Sequence, residues 1–259
     1  MPGGGHPDWL RPGWDAPGVG ALMTTRAGGI SEGAFESMNL RDGLGDSPAA
    51  VAHNQAVFAA AIGARPVWLN QVHGAAVVRL GPELLGQLPT ADASICTEPG
   101  LACTVQVADC LPVLFAAPGA TFPRGVGGAH AGWRGLAGGV LEATIAALCD
   151  AAACAPGELQ AWLGPCIGPR QFEVGADVLQ AFGADPRRGD QPFFTARPEQ
   201  GKWLADLAGL ARERLRRAGV SRLAGGGWCT VEEASRFFSF RRDRVTGRMV
   251  AAVWLERRG

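Results

Sequence analysis

Two histidines and one cysteine carry the strongest chemical signal in a chain of 259 residues that holds only four histidines. His73 lies in Gln71-Val72-His73-Gly74, Cys110 in Ala108-Asp109-Cys110, and His130 in His130-Ala131-Gly132-Trp133-Arg134-Gly135. Two imidazoles and a thiolate are the donor set of a zinc site that leaves one coordination position open. An open position separates a metal that does chemistry from one that only holds a fold. The three residues are far apart in sequence and fit no local zinc motif, so only tertiary structure can unite them. A cysteine in an apolar run is ordinarily a buried small hydrophobe, and a histidine before glycine is ordinarily a turn residue. What makes these three candidates is that each stands at an expected strand end or turn, where side chains of different strands converge.

Charged groups nearby supply further chemistry. Asp109 adjoins Cys110 and is expected to act as an acceptor behind the metal ligands or as a proton carrier, with Asp92 and Glu173 as other candidate acids. Arg26, Arg134 and Arg241 sit in turn-like sequence, where a guanidinium can grip an oxyanion bidentately. Arg134 is the strongest of these, four residues after His130 in a tight turn. The glycine-rich stretches match neither a phosphate-binding P-loop nor the dinucleotide fingerprint. Lys202 is the one lysine, which sets Schiff-base chemistry aside.

The elements that must position these residues are interleaved strands and helices. Ser47-Pro48 reads as an N-cap followed by proline at the first helical position, opening a helix through Ile62. Residues 67–69 and 75–80 read as short strands around the His73 corner, and 102–107 and 113–116 as β-prone runs around Asp109-Cys110. Residues 125–130 lead as a strand into the Gly-Trp-Arg-Gly turn, and 136–150 read as a helix. Further on, 161–163 read as a strand, 177–182 as a short helix and 186–200 as a polar loop. Residues 203–218 show the clearest amphipathic pattern, a helix stopped at Gly219, and 248–255 form a final strand. No repeat or linker divides the chain, so one α+β domain over residues 1–259 is expected, without a regular βαβ period.

Composition narrows the function. Lysine plus arginine equals aspartate plus glutamate at 24 each, which gives no electrostatic reason for a nucleic-acid or membrane partner. Seven scattered cysteines without a C-x-x-C pair exclude zinc-ribbon and thioredoxin patterns. The start of the chain shows no secretory signal and no apolar run spans a bilayer, so a cytoplasmic protein with reduced thiols is expected.

Taken together, the motifs resemble the YfiH-like proteins. Thr25-Arg26-Ala27-Gly28-Gly29, Met38-Asn39-Leu40, the three motifs above, Gly164-Pro165-Cys166-Ile167-Gly168, Phe172-Glu173-Val174-Gly175, Cys229-Thr230 and Phe238-Ser239-Phe240-Arg241-Arg242 follow in that family's order over nearly the whole chain. The resemblance implies layered mixed β-sheets flanked by helices, similar to a cysteine-hydrolase-like fold. It also implies zinc bound by His73, Cys110 and His130, with copper as the alternative metal. Phe240 departs from the tyrosine often found there in relatives, and the chain has no tyrosine.

The family is described variously as polyphenol oxidase, peptidoglycan editing factor and purine nucleoside phosphorylase. Four histidines cannot build a multicopper cluster, so copper chemistry would be confined to the one His/Cys/His site. The resemblance therefore implies a zinc-dependent purine nucleoside phosphorylase acting on adenosine, inosine and methylthioadenosine with orthophosphate, together with adenosine deaminase activity. Asp109, Arg134 and Cys110 are the expected catalytic residues; Arg26, Asn39, Gln71, Asp92 and Arg241 are the expected substrate or phosphate ligands. Two other readings stay open: a hydrolase of peptidoglycan precursors with Cys110 as nucleophile and His130 as its base, and a metal-stabilised binding protein without turnover. A monomer and a homodimer are both compatible with the sequence.

Overall fold

Two β-sheets lie face to face in this computed structural model, which describes residues 5–198 and 201–257. Residues 1–4, 199–200 and 258–259, which include the first part of the Gly/Pro-rich N-terminus and the end of the expected polar loop, lie outside the described residues. The smaller central sheet runs in the order β1 (Val19–Met23), β13 (Met249–Leu255), β5 (Leu101–Val107), β2 (Arg65–Val67). It is antiparallel except where β2 joins β5 in parallel. The larger sheet runs β12 (Arg222–Gly225), β8 (Gln160–Leu163), β6 (Leu111–Ala117), β7 (Gly125–Ala131), β4 (Ala93–Cys96), β3 (Val77–Arg79). Its inner strands are antiparallel and its two edge strands are parallel to their neighbours. A small antiparallel ribbon joins β9 (Glu173–Val174), β10 (Phe194–Ala196) and β11 (Trp203–Ala205).

Between the sheets, Met23, Val105, Val107, Ala251 and Val253 pack against Leu114, Val126 and Trp162. Outside the smaller sheet, Phe58 and Ile62 of α1 (Pro48–Ile62) cover Leu22, Ala102, Val250 and Trp254. Outside the larger one, α3 (Val140–Ala152) and α5 (Leu207–Arg217) cover Val113, Phe115, Ala129 and Leu163. The result is four layers, helix–sheet–sheet–helix. It explains why β5, β6, β7 and β13 are buried at every position: with both faces covered, a strand loses its polar alternation.

Local chemistry sets several boundaries as expected. The Ser47 hydroxyl accepts a hydrogen bond from the Ala50 N–H at the start of α1, and Gly63 ends the helix in the left-handed region at φ 63°. Other boundaries differ. The single helix expected over 136–150 is two: α2 (Trp133–Ala137) and α3, separated at Gly138 and at Gly139, whose φ of 91° cannot continue a helix. The helix expected from residue 203 starts only at Leu207. Residues 203–205 form β11, and Asp206 caps α5 by accepting from the Gly209 N–H at 2.8 Å. Within the expected polar loop, residues 194–196 form β10. Strands β1, β4 and β12 have no counterpart among the expected elements. Two short helices complete the chain, α4 (Ala176–Ala181) and α6 (Phe240–Asp243). No helix among the described residues is long and apolar enough to cross a membrane.

Because Asp206 alone divides the ribbon from α5, Asp206→Ala should lower stability by about 0.5–2 kcal/mol. Urea denaturation measures this; an unchanged midpoint would mean the cap carries nothing.

Candidate metal centre

Strand register brings the three candidate ligands together. β6 and β7 pair with Pro112 opposite His130, so Cys110, just ahead of β6, arrives beside that histidine. β7 also pairs with β4, and the His130 N–H donates to the Asp92 carbonyl at 2.7 Å. His73 comes from the corner between β2 and β3. The donor atoms of His73, Cys110 and His130 all lie within 4.8 Å of one another, and Cys110 Sγ is 3.7 Å from His73 Nε2. In a tetrahedral zinc site with S and N donors, neighbouring donors are roughly 3.3–3.7 Å apart. The separation and the donor types fit a borderline-soft divalent ion. His130 is buried, Cys110 half-buried and His73 exposed, so the centre opens on the His73 side.

One carboxylate orders this arrangement. Asp92 is fully buried and accepts from the backbone N–H groups of Val72, His73 and Gly74 at 3.2, 2.9 and 2.7 Å. These amides converge because His73 adopts φ 63°, a left-handed conformation uncommon for a residue with a side chain. Asp92 Oδ1 also lies 2.8 Å from His130 Nδ1. With the Nδ1–H donating to the carboxylate, Nε2 is the nitrogen left for the centre. Gly132 is required by space: a Cβ there would stand 2.9 Å from both Cys110 Sγ and His73 Cδ2.

The electrostatics couple Cys110 to His130. Burial pushes the Cys110 thiol up, but the adjacent His130 cation and hydrogen bonds from both imidazoles prevail and bring it to about 6. Burial pushes His130 down, yet the Cys110 thiolate and the Asp92 carboxylate raise it to about 9. Without metal the pair is thus thiolate and imidazolium at neutral pH. For Asp92, burial raises the carboxyl, while the bonds from His130 and the Gly74 and Val72 amides outweigh it and hold it below the usual range.

Two cavities meet at this centre. One, of about 360 Å³, runs past Gln71, Gln106, Arg41 and Arg248. The other, of about 300 Å³, runs past Trp133, Arg134, Ile167, Phe172 and Arg241. His73, Ala108, Cys110 and Phe240 line both. Phe240 is 47% exposed and forms the shared rim.

The expected site residues divide on geometry. Arg134 faces the second lobe, stacked on Trp133 with its guanidinium carbon 4.3 Å from the ring centroid. Among the described residues it has no carboxylate partner. Arg241 lines the same lobe, although its Nη1 donates to the Gln171 and Glu173 carbonyls. Arg26 needs correction: its guanidinium donates to the Glu36 and Ala234 carbonyls and stacks on Phe238, so it fastens loops and lines neither cavity. Asn39 is fully buried, its amide committed to Arg41, Asp46 and Arg248, and so does not reach a substrate. Gln71 touches the first lobe, but its amide pairs with both backbone groups of Gln106.

Neither aspartate suits proton donation. Asp92 already accepts four bonds, as described. Asp109, held at φ 91°, accepts from the Thr230 hydroxyl and the Arg241 N–H, both at 2.6 Å. It fixes the turn that delivers Cys110. Glu173 reaches toward Arg197 and Lys202 and lines neither lobe. Arg41, Gln106, Thr230 and Arg248 were not expected at the site. The one local signal was the placement of Arg41 and Arg248 beside the Asn39 motif and Gly247.

A family described as multi-copper polyphenol oxidoreductase laccase matches residues 20–256, and the chain belongs to it. The chain is 46% identical over 250 residues to a purine nucleoside phosphorylase of Pseudomonas aeruginosa, covering 96% of this chain and 98% of that one. It is 45% identical over 247 residues to the purine nucleoside phosphorylase YfiH of Escherichia coli, covering 94% and 97%. Among solved structures, a Neisseria meningitidis protein matches with TM-score 0.88 at 45% identity, over 96% of this chain and all 100% of that one. A YfiH protein of Bacillus licheniformis matches with TM-score 0.84 at 27% identity, over 97% and 100%. The expected α+β fold and family are borne out.

Two measurements test the centre. Metal uptake must displace the His130 proton below about 9 and the Cys110 proton below about 6. Affinity for zinc should therefore rise with pH, about tenfold per unit between those values and more steeply below them. Titration in weak buffer at pH 7.5 should release close to one proton per ion from these ligands; no release would refute the pairing. Asp92→Asn, which turns an amide NH₂ toward backbone donors, should weaken zinc binding roughly 10–100-fold. It should also cost about 1–3 kcal/mol of stability, read by chelator competition and denaturation.

Proposed function

We propose that the protein is a zinc-dependent purine nucleoside phosphorylase that cleaves inosine, adenosine and methylthioadenosine with orthophosphate. The observation that carries this reading is the three-donor centre, accessible on its His73 side and flanked by two lobes of small-molecule size. The names of its curated relatives support the same reading. In the reaction a phosphate oxygen bonds to C1′ as the C1′–N9 bond breaks, and that bond's electron pair leaves with the purine, which then takes up a proton. When bound to His73, Cys110 and His130, zinc would supply a Lewis acid for a substrate oxygen.

The protein's own groups do the rest. The second lobe offers Trp133 and Phe172 to a purine ring, with Arg134 free to donate to the departing base. Among the described residues, Asp109 is the only carboxylate lining either lobe, and both its oxygens are already acceptors. The purine therefore leaves against guanidinium N–H groups and takes its proton from solvent. We extend the reading to adenosine deamination at the same centre, in which water replaces the C6 amino group and ammonia leaves. Seven free cysteines, one of them a ligand, suit the reducing cytoplasm.

A second reading has its own support. The thiol of Cys110, lowered to about 6 beside His130, is a ready nucleophile for amide hydrolysis when no metal is bound. Covalent modification of Cys110 by iodoacetamide in the as-purified protein would favour it, whereas tightly held stoichiometric zinc would oppose it.

Inosine and phosphate should yield hypoxanthine and ribose 1-phosphate, with activity lost in Cys110→Ala. No base release from the wild type, or equal release from the variant, would reject phosphorolysis at this centre. Arg134→Ala should reduce kcat for inosine on the order of 10–100-fold. The loss should be smaller for 7-methylguanosine, whose cationic base departs without a proton.

A further inference from the structure

Both lobes carry arginines, but in the second they share the lining with the Asp109 carboxylate. Arg41 and Arg248 both line the first, and among the described residues no carboxylate does. Among the described residues the Arg41 guanidinium has no hydrogen-bond or ion-pair partner. Arg248 donates through Nη1 to the carbonyls of Thr246 and Gly247, at 2.9 and 3.1 Å, and its guanidinium stands over the Phe240 ring at 5.8 Å; among the described residues its other nitrogens take no hydrogen-bond partner. Burial, and after it the like charge of Arg41, hold this guanidinium below its ordinary pKa. Two guanidinium groups line this one cavity, and the negative groups near Arg248 (Cys110 and Asp109) are each engaged elsewhere: Cys110 with the two imidazoles, Asp109 with Thr230 and the Arg241 N–H.

The fold holds the two arginines there deliberately. The Asn39 side-chain oxygen accepts from the backbone N–H of both Arg41, at 3.2 Å, and Arg248, at 2.9 Å. Its amide nitrogen donates to the Arg41 carbonyl and to Asp46. A buried asparagine thus clamps the loop after β1 to the start of β13. Asn39, expected as a substrate ligand, is instead a positioning residue for the pair.

We propose that the lobe between Arg41 and Arg248 seats a tetrahedral phosphate dianion. This rests on the phosphorolysis reading for its identity as the co-substrate: orthophosphate in one direction, the phosphoryl group of ribose 1-phosphate in the other. Displacement at C1′ needs the nucleophile and the departing base on opposite faces of the sugar. Two lobes that share His73, Ala108, Cys110 and Phe240 and otherwise have separate linings give the two groups separate seats next to the same centre. The arginine lobe takes the anion and the aromatic lobe takes the purine. Guanidinium groups suit this role because their N–H forks match phosphate oxygens. A nucleotide's phosphate shares the chemistry, and the test separates the two sources.

The experiment uses the as-purified, zinc-loaded protein and inorganic phosphate, with binding measured by calorimetry independently of turnover. Arg41→Ala should fold normally, since its side chain has no partner to leave behind, and should weaken phosphate binding on the order of 10-fold or more. Arg248→Lys, which keeps the charge but loses the fork, should weaken it as well. In turnover, Arg41→Ala should raise the phosphate KM by a similar factor and leave the inosine KM unchanged. An unchanged phosphate Kd in both variants, or a loss confined to the inosine KM, overturns the assignment. Inosine 5′-monophosphate binding with the same arginine dependence while orthophosphate does not bind also overturns it. Should phosphate bind in an Arg41-dependent way with no release of base, the anion seat stands and the phosphorolysis reading falls.

Discussion

The whole site depends on the burial of a single carboxylate, Asp92. An ion removed from water costs several kcal/mol unless its lone pairs are met by donors. Here three consecutive amides and one imidazole meet them, and each imposes geometry on its own segment. The amides can converge only if residues 72–74 curl around the carboxylate, which places His73 in its left-handed conformation. The imidazole can donate only in one tautomer, which leaves His130 Nε2 for the centre. Two of the three candidate donors are thus set by a residue that is not itself one of them.

Asp109 repeats the logic for the third ligand. Its carboxylate reaches residues more than a hundred positions away, Thr230 and the Arg241 amide, and so pins the Cys110 turn against the C-terminal part of the chain. Both acids are therefore acceptors in a framework rather than proton donors. The division of labour that results is strict. Carboxylates orient, histidine and cysteine converge as candidate metal donors, and Arg41 and Arg134 are left to face the cavities.

How much of this was legible in the sequence depended on whether the deciding contact was local. The start of α1 could be read because Ser47, Pro48 and Gly63 act within one turn of their own backbone. The apolar runs of β5 and β6 could be read because both their faces are covered. The leucines of 204–215 misled because β11 and α5 share one apolar pattern, and only the cap at Asp206 divides them. Strand β4 is four residues of mostly small side chains, Ala93-Ser94-Ile95-Cys96, too short to show a pattern, and its pairing with β7 decides it. The candidate ligands were conspicuous because histidine is scarce and glycine neighbours two of the motifs. Arg41 and Arg248 were not, since the Asn39 clamp joins segments about two hundred residues apart. Arg26 drew notice for its glycine-rich turn, but a guanidinium in such a turn serves carbonyls as readily as oxyanions.

The site also bears on the family's description as multi-copper oxidoreductases. Oxidase chemistry of that type stores electrons over several copper ions, each needing its own histidines. In this chain His53 projects exposed from α1 and His6 contacts Asp8 near the N-terminus. Among the described residues, His73, Cys110 and His130 form the one group of three such donors. Donors of these types generally bind copper more tightly than zinc on affinity alone, so supply and geometry would decide which ion such a group holds. Copper chemistry at one ion and Lewis-acid chemistry with zinc therefore use the same three side chains. What distinguishes them is the surroundings: a one-electron site gains nothing from two arginines lining one lobe and a guanidinium stacked on tryptophan in the other. Those groups suit an anionic nucleophile in one lobe and a flat leaving group in the other.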